Sequence, residues 1–418
     1  MLDTESALAI SLAEVGIIPA SAATEIAARC RADGFDAVEL GRLARSSGNP
    51  VVPLVAALRG EVGQLAAQWV HWGATSQDIL DTAAVLVSRS ATAAIDRSLR
   101  DLADGCAALA QAHRHTLMTA RTLLQPALPT TFGLKAAGWL VATDGARDQM
   151  AHAAAGLAMQ LGGAAGTLAS LGADGPAVIT RLAGHLGLAE PIVPWHTDRQ
   201  RFTTLGSALA GATGVAAKIT YDIALLMQDE VGEVRASAVP GRGGSSALPQ
   251  KHNPVDAAIV GGAARRVPAL VAVLYSAMAH EHERGIGNWH VEWETLTELL
   301  RLSGGAVTTG AERVSELRID PDAMARNLAS SGGVILAERV LAELTRRAGR
   351  DEAQRLVTAA MDRYATSGSS FEAELRDKEV AKWVSPDEVD ALLDPAAYLG
   401  SSGIFIDRAL FAHEQREE

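Results

Sequence analysis

Between Gly241 and Asp256 the chain reads GRGGSSALPQKHNPVD, and this stretch holds the side chains best suited to chemistry. Ser245 and Ser246 offer adjacent hydroxyls, Lys251 a fixed positive charge, and Asn253 a neutral amide two residues further on. Hydroxyls and one cation on a Gly/Pro-rich segment suit proton transfer beside a bound anion, under a lid that closes over it. A segment of this composition forms no regular element. Its far end is tied, because Asn253-Pro254 reads as an N-cap followed by proline at the first helical position. An ordinary surface connector is the competing reading. The scarcity of charge, with only Arg242 before Lys251, favours the lid.

Polar groups gather at other breaks. His71 to Thr82 reads HWGATSQDILDT, where Thr75, Ser76 and Gln77 follow Gly73 as neutral donors able to bind a carboxylate. Asp78 and Asp81 then suit the positive end of the next helix, so a plain N-capping loop is equally consistent. Arg121 to Gly133 sets Arg121, Thr122 and Gln125 among apolar neighbours, and the prolines at 126 and 129 make it read as a loop. Gln160 precedes GGAAGT, whose glycines admit close approach by a ligand or another helix. No GK[ST] follows and no strand precedes, so it is no nucleotide loop. Arg199 and Arg201 are anion-binding candidates or solvated charges at a helix start. The run His280-Glu281-His282-Glu283 invites a metal, but it places one His and one Glu on each of two different faces, and no metal is expected.

These groups must be held by helices. Apolar residues make up 48% of the 418 and aromatics only 4%, an Ala/Leu-rich balance that predicts close-packed helices rather than sheets. Leu205, Leu209, Ala212, Ala216, Ile219, Ile223 and Leu226 step by three or four along one face. Helices are expected over 4–15, 21–31, from Pro53 to near Val70, over 82–116, 132–157 and 257–284 with a kink at Pro268, and from Glu292 through Leu317. Five of them run about 25 to 35 residues, rods of roughly 40 to 50 Å, too long to bury their stripes in one small monomer. The expected division is 1–82, a central bundle over 83–319, and a smaller helical domain over 320–418 ending in a tail. A net charge of -12 argues against nucleic acid. Cys30 and Cys106 stand singly and read as buried thiols of a cytoplasmic protein, and neither a signal peptide nor a membrane span is expected.

Taken together, the loops resemble those of the fumarase/aspartase superfamily. Gly244, Ser245, Ser246, Pro249, Lys251, Asn253 and Pro254 match its GSSxMPxKxNP signature, with Leu248 replacing methionine. His71, Gly73, Thr75, Ser76, Asp78, Asp81 and Thr82 match HxGxTSxDxxDT. Within the superfamily, IGNWHVEW at 286–293 and DPAAYLGSSGIFIDR at 394–408 resemble the cycloisomerase branch. The elimination enzymes usually carry Thr-His in the second region, whereas here Thr122 is followed by Leu123, which cannot transfer a proton.

The resemblance implies an all-α, cofactor-free enzyme that closes a lactone within a small tricarboxylate, 3-carboxy-cis,cis-muconate, in the protocatechuate branch of aromatic catabolism. An adenylosuccinate-type lyase releasing fumarate is the alternative. It further implies a homotetramer whose sites are each shared by three subunits. Ser245 is the expected proton-transfer residue and Lys251 its cationic helper, with His71 orienting or polarising. Thr75, Ser76, Thr122, Gln160, Arg201, Ser246 and Asn253 are the expected substrate-binding groups, and His282 and His290 the site wall.

Overall fold

The stripe along the helix Gln200–Leu226 is the organising pattern: its seven apolar members from Leu205 to Leu226 are all buried. In a computed structural model, residues 1–236, 243–244, 247–248 and 251–417 of the chain are described. Five long helices dominate them: Ser76–Ala112 (37 residues), Phe132–Ala155 (24), Gln200–Leu226 (27), Val255–Ser276 (22) and Asn288–Ser315 (28). The first begins six residues before the expected start at Thr82. Gln200–Leu226 and Val255–Ser276 are long and apolar enough to cross a membrane by length and composition alone.

The chain divides into two compact units, each assembled from three segments. One comprises Met1–Ser98, Ala146–Gly214 and Gly262–Ala306, the other Leu99–Gly145, Val215–Gly261 and Val307–Glu418. In the first unit, Leu8, Leu12, Ile26, Leu58, Ile79 and Leu182 anchor a core built by the helices Leu2–Glu14, Ala20–Arg29, Val51–Glu61 and Gly175–Leu186. In the second, Phe132, Trp139, Leu140, Ile219 and Ile223 form one cluster, and Val340, Leu344, Leu356 and Phe371 another in the C-terminal helices. Gly133 permits the tightest backbone approach there, since a Cβ would lie 2.7 Å from the Ala110 carbonyl oxygen and from the Arg114 Cα.

Several expectations are corrected. The segment 117–131 is no loop: β1 (Leu117–Thr122) pairs antiparallel with β2 (Gln125–Thr131), and the prolines sit opposite Arg121 and Thr119. A two-stranded ribbon is all edge, and edges tolerate proline. The helix expected after Pro53 starts at Val51, because proline is accommodated in a first turn where no intrahelical donor is needed. The helix expected to reach Arg284 runs through Pro268 and stops at Ser276, and the next begins at Asn288, four residues before Glu292. Leu317 belongs to β4 (Leu317–Ile319), paired with β3 (Val234–Ala236), rather than to a helix stripe. The tail expected from Pro395 to Gly403 holds a short 3-10 turn, Pro395–Ala397, and its last two residues open the helix Ser402–Glu417.

Candidate active site

In the first unit the polar groups are organised by Asp78, whose side chain is fully buried. Its carboxylate accepts from the backbone N–H of Thr75, Gly162 and Gly163, each at 2.9 Å, and from His196 Nε2 at 2.6 Å. A carboxylate only accepts, so His196 carries its proton on Nε2. The glycines of GGAAGT do admit close approach, but by the protein itself: a Cβ on Gly162 would lie 2.7 Å from His196 Cε1 and from Pro194 Cβ. Gln160 is equally enclosed. Its side-chain oxygen accepts from Trp195 N–H at 2.8 Å, and its backbone N–H donates to Thr82 Oγ1 at 2.9 Å.

One turn along the same helix, Asp81 meets Arg199 at 2.7 and 3.0 Å and accepts from Trp289 Nε1 at 2.9 Å. Glu292 closes the other side of Arg199, at 2.9 Å from Nε and 2.5 Å from Nη2. The Arg199 side chain has no exposed surface. Burial works against its charge, yet the two carboxylates outweigh burial and hold the guanidinium above its ordinary pKa. The expectation that Arg199 binds a substrate anion or lies solvated is therefore corrected: its donors are engaged inside the fold. His280 also faces this cluster, 3.8 Å from Glu292, with a side chain fully enclosed. Neither of its ring nitrogens has a hydrogen-bond partner among the described residues. Burial, reinforced by the Arg199 charge, pushes its imidazole below the usual histidine range.

Around this framework lie groups with free capacity. His71 donates from Nδ1 to Glu5 at 2.6 Å. Thr75 and Ser76 are half-buried, and among the described residues neither hydroxyl has a hydrogen-bond partner. Arg201 stacks on Trp195, 5.0 Å from the ring centre, and Asp198 lies 3.7 Å away. Burial lowers its guanidinium pKa. Arg284, which none of the sequence motifs marks, leaves the 277–287 segment to donate to Gln77 at 3.2 Å and to the Ala164 carbonyl at 3.2 Å. Its Nη1 has no partner among the described residues. The signal was there: an arginine just before Gly285-Ile-Gly287, where a helix should stop.

The remaining candidates belong to the second unit. Thr122 lies at the exposed hairpin tip, followed by Leu123 at φ 51° and Leu124 at φ 65°, the first 97% exposed. A two-residue turn with both φ values positive normally selects Asn-Gly, and leucine here is strained. Arg121 is paired with the buried Glu233 at 2.9 and 2.7 Å. Lys251 is exposed, with its backbone N–H on the Leu248 carbonyl at 3.0 Å. Behind it, Asp256 receives Arg313 Nε at 2.6 Å in a buried ion pair. Ser245 and Ser246 lie outside the described residues. His71, Thr75, Ser76, Gln160 and Arg201 thus belong to one unit, and Thr122, Lys251 and Asn253 to the other.

The sequence profile of the Lyase family matches residues 2–269, and that of the adenylosuccinate lyase C-terminus matches residues 333–409. The chain is 44% identical over 420 residues to a 3-carboxy-cis,cis-muconate cycloisomerase of Bradyrhizobium diazoefficiens, covering 99% of this chain and 93% of the relative. It is 43% identical to a nitrosuccinate lyase of Streptomyces davaonensis, over 98% of this chain and 89% of that one. The crystal structure of the 3-carboxy-cis,cis-muconate lactonizing enzyme from Pseudomonas putida superposes with a TM-score of 0.95 at 41% identity, covering 100% of this chain and 94% of that one. The all-α architecture, the signature loop and these matches agree, and the chain belongs to the Lyase family within the fumarase/aspartase superfamily.

Proposed function

We propose that the chain is a cycloisomerase that converts 3-carboxy-cis,cis-muconate to 4-carboxymuconolactone. The observation that carries this reading is the full-length correspondence with the lactonizing enzyme. Leu123 agrees with it, since a leucine at the hairpin tip supplies no proton for an elimination that relies on histidine there.

In the reaction, an oxygen of one substrate carboxylate bonds to a diene carbon. The displaced π electrons move onto the carbon alpha to another carboxylate and are held as an aci-carboxylate, and that carbon then takes up one proton. The site must therefore hold three carboxylates, stabilise charge as it develops, and deliver the proton to one face. We assign the proton to Ser245, replenished from solvent, and stabilisation of the developing charge to Lys251. Thr75, Ser76, Arg201 and Arg284 anchor the outer carboxylates, His71 polarises, and Gln160 and Asn253 hold the walls that position them. No cofactor enters this scheme.

Membership of the superfamily supports shared sites in a homotetramer. So do the exposed apolar surfaces. Leu123, Ile259 at 61% exposure and Tyr275 at 53% need a covering, and a further copy of the chain supplies one. Two free thiols fit a cytoplasmic setting.

A second reading is favoured by the nitrosuccinate lyase relative, nearly as similar as the cycloisomerase. An ultraviolet assay decides between them. The purified protein should consume the conjugated diene of 3-carboxymuconate without releasing fumarate. Turnover of nitrosuccinate or adenylosuccinate with the diene left intact would sink the proposal.

A further inference from the structure

The histidine assigned to polarise the substrate has a buried companion. Glu5 lies in the first turn of the helix Leu2–Glu14, whose Ala7, Leu8 and Leu12 are packed in the core, so the carboxylate sits on a rigid element. Its side chain is 1% exposed, and its oxygen lies 2.6 Å from His71 Nδ1. Among the described residues no other side-chain donor reaches it. His71 has a φ of 65° and Gly73 a φ of 76°, so the backbone turns through two left-handed residues around Trp72 to bring the ring there. A non-glycine residue adopts this conformation at a cost and keeps it only where the surroundings impose it.

We infer that Glu5 is a positioning residue that fixes both the plane and the tautomer of His71. A carboxylate can only accept, so the ring proton of neutral His71 stays on Nδ1 and Nε2 becomes the working nitrogen. The side chain retains 16% exposure, and Nε2 has no partner among the described residues. His196 is held the opposite way, with its Nε2–H given to Asp78, so the first unit carries two histidines in opposite tautomers, each set by a buried carboxylate. The inference rests on the assignment of His71 to the reaction.

The test is a double-mutant cycle on the full-length protein with 3-carboxymuconate. Glu5→Gln keeps the shape but can donate an amide N–H to Nδ1, which releases the tautomer. It should lower kcat about 10- to 100-fold with KM little changed. His71→Gln should lower kcat at least as far, the double variant no further, and Glu5→Asp should restore part of the loss. Equal factors for Glu5→Gln in the presence and absence of His71 would mark a structural role and overturn the inference. An impaired His71→Gln beside a normal Glu5→Gln removes the inference alone. A normal His71→Gln removes the assignment of His71 and the inference together. If Glu5→Gln fails to fold, Glu5→Met, similar in volume and without an oxygen acceptor, carries the same cycle.

Discussion

The backbone N–H of Asn253 and its side-chain amide both donate to one acceptor, the Gly243 carbonyl oxygen, at 2.8 and 3.3 Å. Gly243 has a φ of 74°, and a Cβ there would lie 2.8 Å from the Asn253 carbonyl oxygen. The two ends of the serine-bearing segment are thus fastened by one asparagine and one glycine. Asn253→Ala removes one of the two bonds and should cost only about 1 kcal/mol in unfolding. It should nevertheless lower kcat about 100-fold, because small misplacements of reacting groups are costly. Thermal melts and steady-state kinetics check both halves of this expectation.

Arg284 offers an uncommitted Nη1 beside Gln77 and Ala164. Replacing it by methionine should lower kcat/KM about 10- to 100-fold, the worth of one charge-assisted hydrogen bond, while the melting temperature stays close to that of the wild type. A kinetic series with this variant is the measurement.

Gly162→Ala should destabilise by about 1–3 kcal/mol, because its methyl would meet His196 and Pro194 at 2.7 Å and force apart the Asp78 network. Gly138, with open space around its Cβ position, is the matched control. Urea unfolding of the two alanine variants tests the difference.

His280 supplies a pH dependence of known sign. Its imidazole is held below the usual histidine range by burial, so between its folded pKa and about 6.5 the unfolded chain binds the extra proton. Its contribution to stability is therefore present above about pH 6.5 and is lost as pH falls towards the folded value. The drop in melting temperature between pH 8 and pH 5.5 should be smaller for His280→Phe than for the wild type.

The long helices were legible because their stripes are written every three or four residues, and Leu205 to Leu226 are buried as that spacing demands. The hairpin was not. Pro126 and Pro129 read as loop punctuation, and only their pairing partners Arg121 and Thr119 reveal a ribbon. The stretch 277–284 looked helical because nothing in MAHEHER forbids a helix. Its backbone is set instead by tertiary contacts: His280 enclosed beside Glu292, and Arg284 drawn to Gln77. Arg199 was misjudged for a related reason. Its two carboxylate partners lie 118 and 93 residues away, a distance no local pattern spans.

The same Glu5 carboxylate that holds His71 also bears on Cys30. Burial first, and then Glu5, push the Cys30 thiol up to about 12, and burial raises Cys106 as well. Near neutral pH the thiolate fraction of Cys30 is on the order of a thousandfold below that of a free cysteine. Both native thiols should therefore react slowly with maleimides and iodoacetamides, which a thiol-labelling time course checks. A cysteine introduced at the exposed Leu248 would take a fluorophore selectively, without removal of either native thiol, and would report directly on the loop that carries Lys251.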